Sequence, residues 1–455
     1  MSLSIQDLRC LVESRGRVNL FGLGIADERT ALAEFDEALR RSGLVFEGRT
    51  LVVRPEPYIF DAKFDAKIVA DIEALHAVVC RCTHIVMSDR ALQDSMGISD
   101  QQRQTLFLGV EYEPVVFFCR FDFAFLPDGT PQIFEVNSEC PGGLLLSRHI
   151  FDAFRGTAYN RLLSSMLSSP YLPQTGPVFS TAMANLFRRT RLTDLNPSIA
   201  VVNSKHKTLT NEIDLIVKEL NAFGMQGISC FVEDLKYAGG QLLAKGLPVD
   251  MVYNKFDTGE ENYELTFTRS AKDVKAYLKA LTDGSVIVVN SFPSSYIPES
   301  KAFLALLSGN QTLRNMLTSY EIALIDRLVP WTRVLHLLSN EERADIIRNK
   351  ADYVLKQAYD TRGRTVTVGA TISCEDWMNF IDRACMSRKA FVVQRFVAPE
   401  ALCLGDQCVS PMLTTHSYFV MDGKACCPFP RTARSNVTNV AQGGALVVPL
   451  RVEIG

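Results

Sequence analysis

The sequence predicts a multidomain α/β protein, and three stretches carry that expectation. From residue 198 a strand pattern (SIAVVNS), a helical pattern (TNEIDLIVKELNAFG) and a second strand pattern (GISCFVED) alternate. Such alternation argues for a parallel sheet with crossover helices. Residues 120 to 143, RFDFAFLPDGTPQIFEVNSECPGG, read as an apolar hairpin interrupted by acids, and residues 352 to 369, DYVLKQAYDTRGRTVTVG, as a strand, a basic loop and a return strand.

The bulk properties bound the rest. A chain of 455 residues exceeds one hydrophobic core, so two or three domains are expected. The net charge of −3 gives no global reason to expect nucleic acid. No apolar run reaches membrane-spanning length, and the opening MSLSIQDLRC lacks the charged-then-apolar pattern of a signal peptide, so the cytoplasm is the expected location. The 12 cysteines contain no CxxC pair. Cys80 and Cys82 lie in an apolar helical stretch and Cys426-Cys427 in a strand pattern, so reduced packing thiols are expected. A Cys140 nucleophile served by His149 lacks a third group to orient the histidine. The remaining histidines show no ligand spacing.

Along the chain, residues 28 to 43 (ERTALAEFDEALRRSG) have helical periodicity and a glycine stop, TLVVRPEP follows as a strand, and residues 66 to 84 repeat the helical pattern. SSPYLPQTGP (168 to 177) reads as a linker and places a boundary near residue 176. VDMVYNKFD (249 to 257) adds a strand to the α/β unit, which lacks the GxGxxG of a dinucleotide site. Lys301 opens an apolar helix within NSFPSSYIPESKAFLALLS, Lys356 sits on the strand of residues 352 to 369, and Gln394 ends the strand AFVVQRFVAPE. HSYFVMDGKACCPFPR (416 to 431) reads as a second Asp-Gly hairpin, and NVTNVAQGGALVVPL ends in an apolar strand.

The first hairpin can be worked out from period-two alternation. If Asp128-Gly129 forms a two-residue turn, Asp122 pairs with Glu135 and Arg120 with Asn137, and all four share one face. Phe121, Phe123, Phe125, Phe134 and Val136 would then share the other. Opposed carboxylates repel. A divalent cation between them, with Asn137 as a third oxygen ligand, relieves the repulsion, and oxygen-only ligands suit Mg²⁺ or Mn²⁺. Neutralisation of both acids by Arg120 is the alternative. In the later segment, Gly363 flanked by Arg362 and Arg364 gives a loop whose amides and guanidiniums can contact phosphate, although an exposed loop explains that stretch equally well taken alone.

An acidic metal site, two separated lysines and a basic hairpin are together the parts phosphoryl transfer needs. With RFD…FEVN…PGG, Lys301, the strand-Lys356-loop-Gly363 segment and the late Arg431 with NVAQGG, the sequence resembles the ATP-grasp ligases, specifically the circularly permuted branch typified by glutathionylspermidine synthase. The metal motif precedes the clamping lysines here, the reverse of the usual order.

The resemblance implies an α/β (α+β) ATP-grasp fold with a Rossmann-like pre-ATP-grasp domain. Residues 1–175 would form the N-terminal part of the core with the metal hairpin, 176–300 the pre-ATP-grasp unit, and 301–455 the ATP-clamping lid and the remaining core. It implies that Asp122, Glu135 and Asn137 hold Mg²⁺ and that Arg120 stabilises an acyl phosphate. Lys301 and Lys356 would contact ATP, Thr361, Arg362, Gly363 and Arg364 would cover its phosphates, and Gln394 would lie near adenine. Arg431 would meet phosphate or the acid substrate, with Asn439 in the same segment. The implied reaction joins a carboxylate to an amine, or to a carrier-protein thiol, with release of ADP and phosphate, amino acids or small peptides being the implied substrates. FEVNSECPGG departs from the glutathionylspermidine motif after the asparagine, and TRGRT is poorer in glycine than the family's usual lid. The rival classes are a Mg²⁺-dependent hydrolase, which leaves both lysines unexplained, and a non-catalytic nucleotide-binding protein, which has no need of the Arg-Asp-Glu-Asn set.

Overall fold

The computed structural model describes the chain apart from residues 1–11, 13, 16, 20–27, 47–48, 167–177, 206–210, 257–273, 361–362, 364, 402–411, 437 and 454–455. The linker expected at 168–177 and the lid residues Thr361, Arg362 and Arg364 therefore lie outside the described residues.

One nine-stranded sheet draws on both halves of the chain. Its path runs Arg17–Asn19, Val53–Asp61, Ala445–Val452, Arg431–Ala433, Leu413–Met421, Phe118–Phe125 and Pro131–Asn137, and two short strands pair with Leu413–Met421 off that path. The hairpin of residues 118–137 is thus joined edge-on to the late strands, with Ser417 opposite Asp122 and Thr415 opposite Arg431. The second Asp-Gly hairpin forms as expected. Met421 pairs with Lys424, and both Asp422 (φ 52°) and Gly423 (φ 75°) take the left-handed conformation a two-residue hairpin turn demands.

One face of this sheet is sealed by the 27-residue helix Ala62–Ser88. Asp61 starts it by accepting from the amides of Lys63 and Phe64 at 3.0 and 3.1 Å. Ile68, Ile72, Leu75, Val79, Cys82 and Val86 then repeat at helical spacing and pack on Phe121, Phe123, Tyr418 and Val420.

In the first hairpin Arg120 pairs with Asn137 and Asp122 with Glu135, as the alternation predicts, but by a different route. The turn is a three-residue loop, closed by Leu126 N–H donating to Thr130 O at 2.9 Å, with Gly129 at φ 85°. A bulge between the Asp122 and Phe123 pairs restores the register. Phe134 is its unpaired residue. Expected on the apolar face, it lines the cavity described below, and Ile133 takes its place in the core.

The second unit is a four-stranded, all-parallel sheet in the order Ile287–Val289, Met251–Asn254, Ser198–Asn203, Gln226–Phe231. The helix Glu212–Ala222 makes its first crossover. A small antiparallel sheet spanning residues 236–249, which the alternation does not announce, is inserted before the third strand. Strand order reverses between Ser198–Asn203 and Met251–Asn254, which opens a crevice at their carboxyl ends.

A third sheet, antiparallel throughout, orders Thr332–Val334, Phe391–Arg395, Tyr353–Gln357 and Thr367–Val368 over a core of Trp377, Ile381, Leu355 and Val393. It carries Lys356 and Gln394 on neighbouring strands. The helix Lys301–Gly309, capped by Ser300, packs against it and presents Lys301 in its first turn.

Candidate active site

The three units converge on a cavity of about 340 Å³. Arg120, Phe134, Glu135 and Asn137 of the hairpin, Lys301, Lys356, Gln394, Gly363, Arg431 and Asn439 all line it. Asp122 does not line it. Its side chain is 1% exposed and lies behind the wall, where its oxygens are taken by two guanidiniums. Arg120 donates through Nε to Oδ1 at 2.7 Å and through Nη2 to Oδ2 at 2.9 Å. Arg431 Nη2 reaches Oδ2 at 2.8 Å, and the Asn137 amide donates to the same oxygen at 3.2 Å. Burial alone pushes a carboxyl pKa up, but Arg120 and Arg431 outweigh it and hold Asp122 well below the usual carboxylate range.

The arginines are thereby aimed. Arg120 also donates to the Gly142 carbonyl at 3.0 Å, and Arg431 to Ser417 Oγ at 3.1 Å. The Nε of Arg431 is buried without a hydrogen-bond partner among the described residues.

Glu135 occupies the cavity face. Its Oε1 meets Lys301 Nζ at 2.9 Å, and against the upward push of burial the ammonium lowers its pKa. Lys301 Nζ also donates to Asp360 O at 3.1 Å, which ties the hairpin to the base of the basic loop. Lys356 Nζ donates to Gln394 Oε1 at 2.7 Å and Phe134 O at 3.3 Å and sits 5.0 Å from the Phe134 ring centre. Gln394 in turn donates to Thr332 Oγ1 at 3.0 Å, which fixes its oxygen toward the lysine. Burial, reinforced by repulsion from Lys301, lowers the Lys356 pKa to about 8.

Four carboxylates that the sequence did not single out, Glu139, Glu212, Glu299 and Asp360, line the same cavity, the last two close in sequence to Lys301 and Lys356. Glu299 accepts from the amides of Ser138 and Glu139 at 2.5 and 2.8 Å, and burial pushes its pKa up to about 7. Asp360 accepts from the amide and hydroxyl of Thr365 at 2.8 and 2.7 Å, closing the base of the loop. Gly363 O accepts from Gln442 Nε2 at 2.8 Å. The only signals in the sequence were position, two residues before Lys301 and four after Lys356. Cys140 lines the cavity, whereas His149 is not among the lining residues.

The donor set can be tested against Mg²⁺. Among the described residues no group of three or more His, Cys, Asp or Glu side chains could hold a metal ion. Glu135 and Asn137, two positions apart on one strand, offer two hard oxygens on the same part of the cavity wall. That fits an ion which keeps waters and shares its remaining positions with substrate phosphates, and does not fit an all-protein cage.

In a comparison with solved structures, a glutathione synthetase-like effector from Globodera pallida, in its apo form, matches over 93% of this chain and 96% of its own, with a TM-score of 0.57 at 14% identity. The fold is ATP-grasp. An ATP-grasp RimK domain protein from Sphaerobacter thermophilus aligns over 45% of this chain and 65% of its own, with a TM-score of 0.27 at 20% identity, and adds no weight. No protein-family model and no curated protein matches the sequence. Among the described residues no helix is long and apolar enough to cross a membrane.

Proposed function

We propose that the protein is an ATP-dependent carboxylate–amine ligase working through an acyl phosphate. The observation that carries this reading is one cavity in which buried Lys301 and Lys356 face two arginines already fixed on Asp122, with Glu135 and Asn137 between them. Lys356 donates to two neutral acceptors, Phe134 O and Gln394 Oε1, and a buried cation held that way is costly unless an anion completes it; a polyphosphate is an anion that suits Lys356 together with the paired cations beside it.

In this reading Lys301 and Lys356 bind the phosphates of ATP, Gln394 holds Lys356 and faces the adenine end, and Thr361, Arg362, Gly363 and Arg364 cover the phosphates. Glu135 and Asn137 would hold Mg²⁺, which would supply positive charge to offset that of the phosphates. Asp122 serves by pinning Arg120 and Arg431. The substrate carboxylate attacks the γ-phosphorus, the bond to the β-phosphate oxygen breaks, and ADP leaves. A neutral amine then adds to the acyl carbon, Arg120 and Arg431 carry the negative charge of the tetrahedral adduct, and phosphate departs as the amine loses its proton. Closure of the loop over the cavity keeps water from the acyl phosphate. The metal hairpin precedes both lysines in the chain, in keeping with a circularly permuted ATP-grasp order, and an amino acid or small peptide is the proposed substrate class.

The test is ADP and phosphate release from Mg²⁺·ATP across a panel of amino acids and short peptides paired with amines and thiols. ADP formed only with a particular pair supports the ligase and names its substrates. AMP and pyrophosphate would replace the acyl phosphate by an adenylate and overturn the mechanism, and ADP formed with a thiol acceptor alone would redirect it to thioester formation.

A further inference from the structure

The loop leaving the hairpin, Cys140-Pro141-Gly142-Gly143, is held by charges from a different sheet. Lys255 Nζ lies 3.4 Å from the Cys140 carbonyl and 3.2 Å from that of Pro141. The next carbonyl, of Gly142, accepts from Arg120. The Gly143 amide donates to Glu212 Oε1 at 2.6 Å, and Glu212 Oε2 closes the ring on Lys255 Nζ at 3.3 Å. Both side chains of this ion pair are more than nine-tenths buried.

Lys255 directly follows the Met251–Asn254 strand, and Glu212 opens the helix after the Ser198–Asn203 strand, so both stand at the carboxyl ends where strand order reverses. The glycines are what let the loop approach. A Cβ on Gly142 would fall 3.2 Å from Glu212 Oε2, and Gly143 (φ 107°) would drive one to 2.7 Å from the Phe429 ring.

We propose that Lys255 and Glu212 are positioning residues that clamp residues 140–143 so that the Gly142 carbonyl holds Arg120 toward the cavity. The proposal rests on the ligase reading for the role of Arg120, but the clamp itself can be read without substrate. Arg120 is then gripped from both sides, by Asp122 within its own sheet and by a loop whose shape the parallel sheet dictates. Through the clamp, the parallel sheet acts on the charge that would stabilise the acyl phosphate.

The experiment uses the full-length protein and three variants, Lys255→Met, Lys255→Arg and Glu212→Gln. Hydrogen exchange of the segment 138–146 reads the loop, calorimetry with Mg²⁺·AMPPNP reads the distant ATP end, and kcat and KM are taken with the substrate pair the panel yields. Lys255→Met is expected to speed exchange of the segment by about tenfold or more, to lower kcat by a similar factor, and to leave AMPPNP affinity within about twofold. Lys255→Arg restores most of both losses. Glu212→Gln keeps an acceptor for Gly143 but loses the charge on Lys255, and falls between. Unchanged exchange in Lys255→Met overturns the clamp. A raised KM for the acid or amine with kcat and exchange intact would make Lys255 a substrate contact and overturn it as well. If AMPPNP affinity falls with everything else, the residues are merely structural. Should the panel yield no ADP even with wild type while exchange still responds, the ligase reading fails and the clamp stands.

Discussion

Replacing Asp122 by asparagine separates two accounts of the hairpin by the sign of a stability change. If the two carboxylates faced each other across a metal, removing one charge in the metal-free protein would relieve repulsion and leave the fold as stable or more so. The observed network requires the opposite. Asp122 Oδ2 accepts from Arg120 Nη2, Arg431 Nη2 and Asn137 Nδ2, while Oδ1 accepts from Arg120 Nε. An asparagine can place its oxygen toward only one of these sets, so its NH₂ faces donors in either orientation, and two buried guanidiniums lose their counter-charge. Breaking a buried pair in this way costs about 3–5 kcal/mol. That is on the order of a third of a typical protein's stability.

The assay is urea unfolding of the metal-free protein, following the transition that reports the nine-stranded sheet, together with a Mg²⁺ titration of turnover. The pH dependence adds a check on sign. A carboxylate whose folded pKa is depressed contributes stability that is fully present above its ordinary value of 3.8 and lost as pH falls through the lower folded value. The gap between wild type and Asp122→Asn should therefore hold from neutral pH down to about 4 and narrow only below that. Equal stability of the two proteins, with a Mg²⁺ requirement shifted to higher concentration, would refute the anchoring role and restore Asp122 as a metal ligand.

Glu135→Gln is expected to keep the fold while raising the Mg²⁺ concentration for half-maximal turnover by about tenfold or more, a factor read directly from the titration. For Lys356, calorimetry with Mg²⁺·AMPPNP should show affinity falling as pH rises through about 8, where the free protein's ammonium deprotonates. Because the unfolded chain keeps that proton up to about 10.5, the same group makes stability rise with pH between the two values, and Lys356→Met should abolish this rise. Gly143→Ala must accept both a left-handed backbone and a Cβ 2.7 Å from the Phe429 ring, so a loss of about 1–3 kcal/mol is expected in the same urea assay.

The hairpin shows both what the sequence reveals and where it stops. Period-two alternation and an Asp-Gly turn signal predict the pairs Arg120–Asn137 and Asp122–Glu135, and those pairs form. They form because two departures cancel: the loop is one residue longer than the turn signal implies, and a bulge at Phe134 returns the missing residue. A bulge has no compositional mark, so the sequence cannot announce that Phe134 leaves the apolar face to stand under Lys356. The strand-helix alternation after residue 198 is legible for the opposite reason. The strands Ser198–Asn203, Met251–Asn254 and Ile287–Val289 are buried on both faces and read as apolar runs, while the edge strand Gln226–Phe231 is only partly buried.

The partners of the acids were harder to foresee because they come from far along the chain. Arg431 reaches Asp122 only because residues 413–421 pair with both 118–125 and 431–433, a long-range contact that no local pattern encodes. Lys301 reaches Glu135 from the first turn of a helix packed on another sheet. Two opposed carboxylates in a sequence pose a repulsion problem with more than one physical solution, and the fold divides the problem between the pair. Asp122, on the inner strand, is held by two guanidiniums and the Asn137 amide and is withdrawn from the cavity. Glu135, on the edge strand, keeps a single ammonium partner and remains on the wall, where a carboxylate can still exchange that partner for a metal ion shared with phosphate. The asymmetry follows the strand order: Asp122 takes Arg120 from its own strand and Arg431 from across Leu413–Met421, whereas Glu135, on the edge strand, meets Lys301 from a helix outside the sheet.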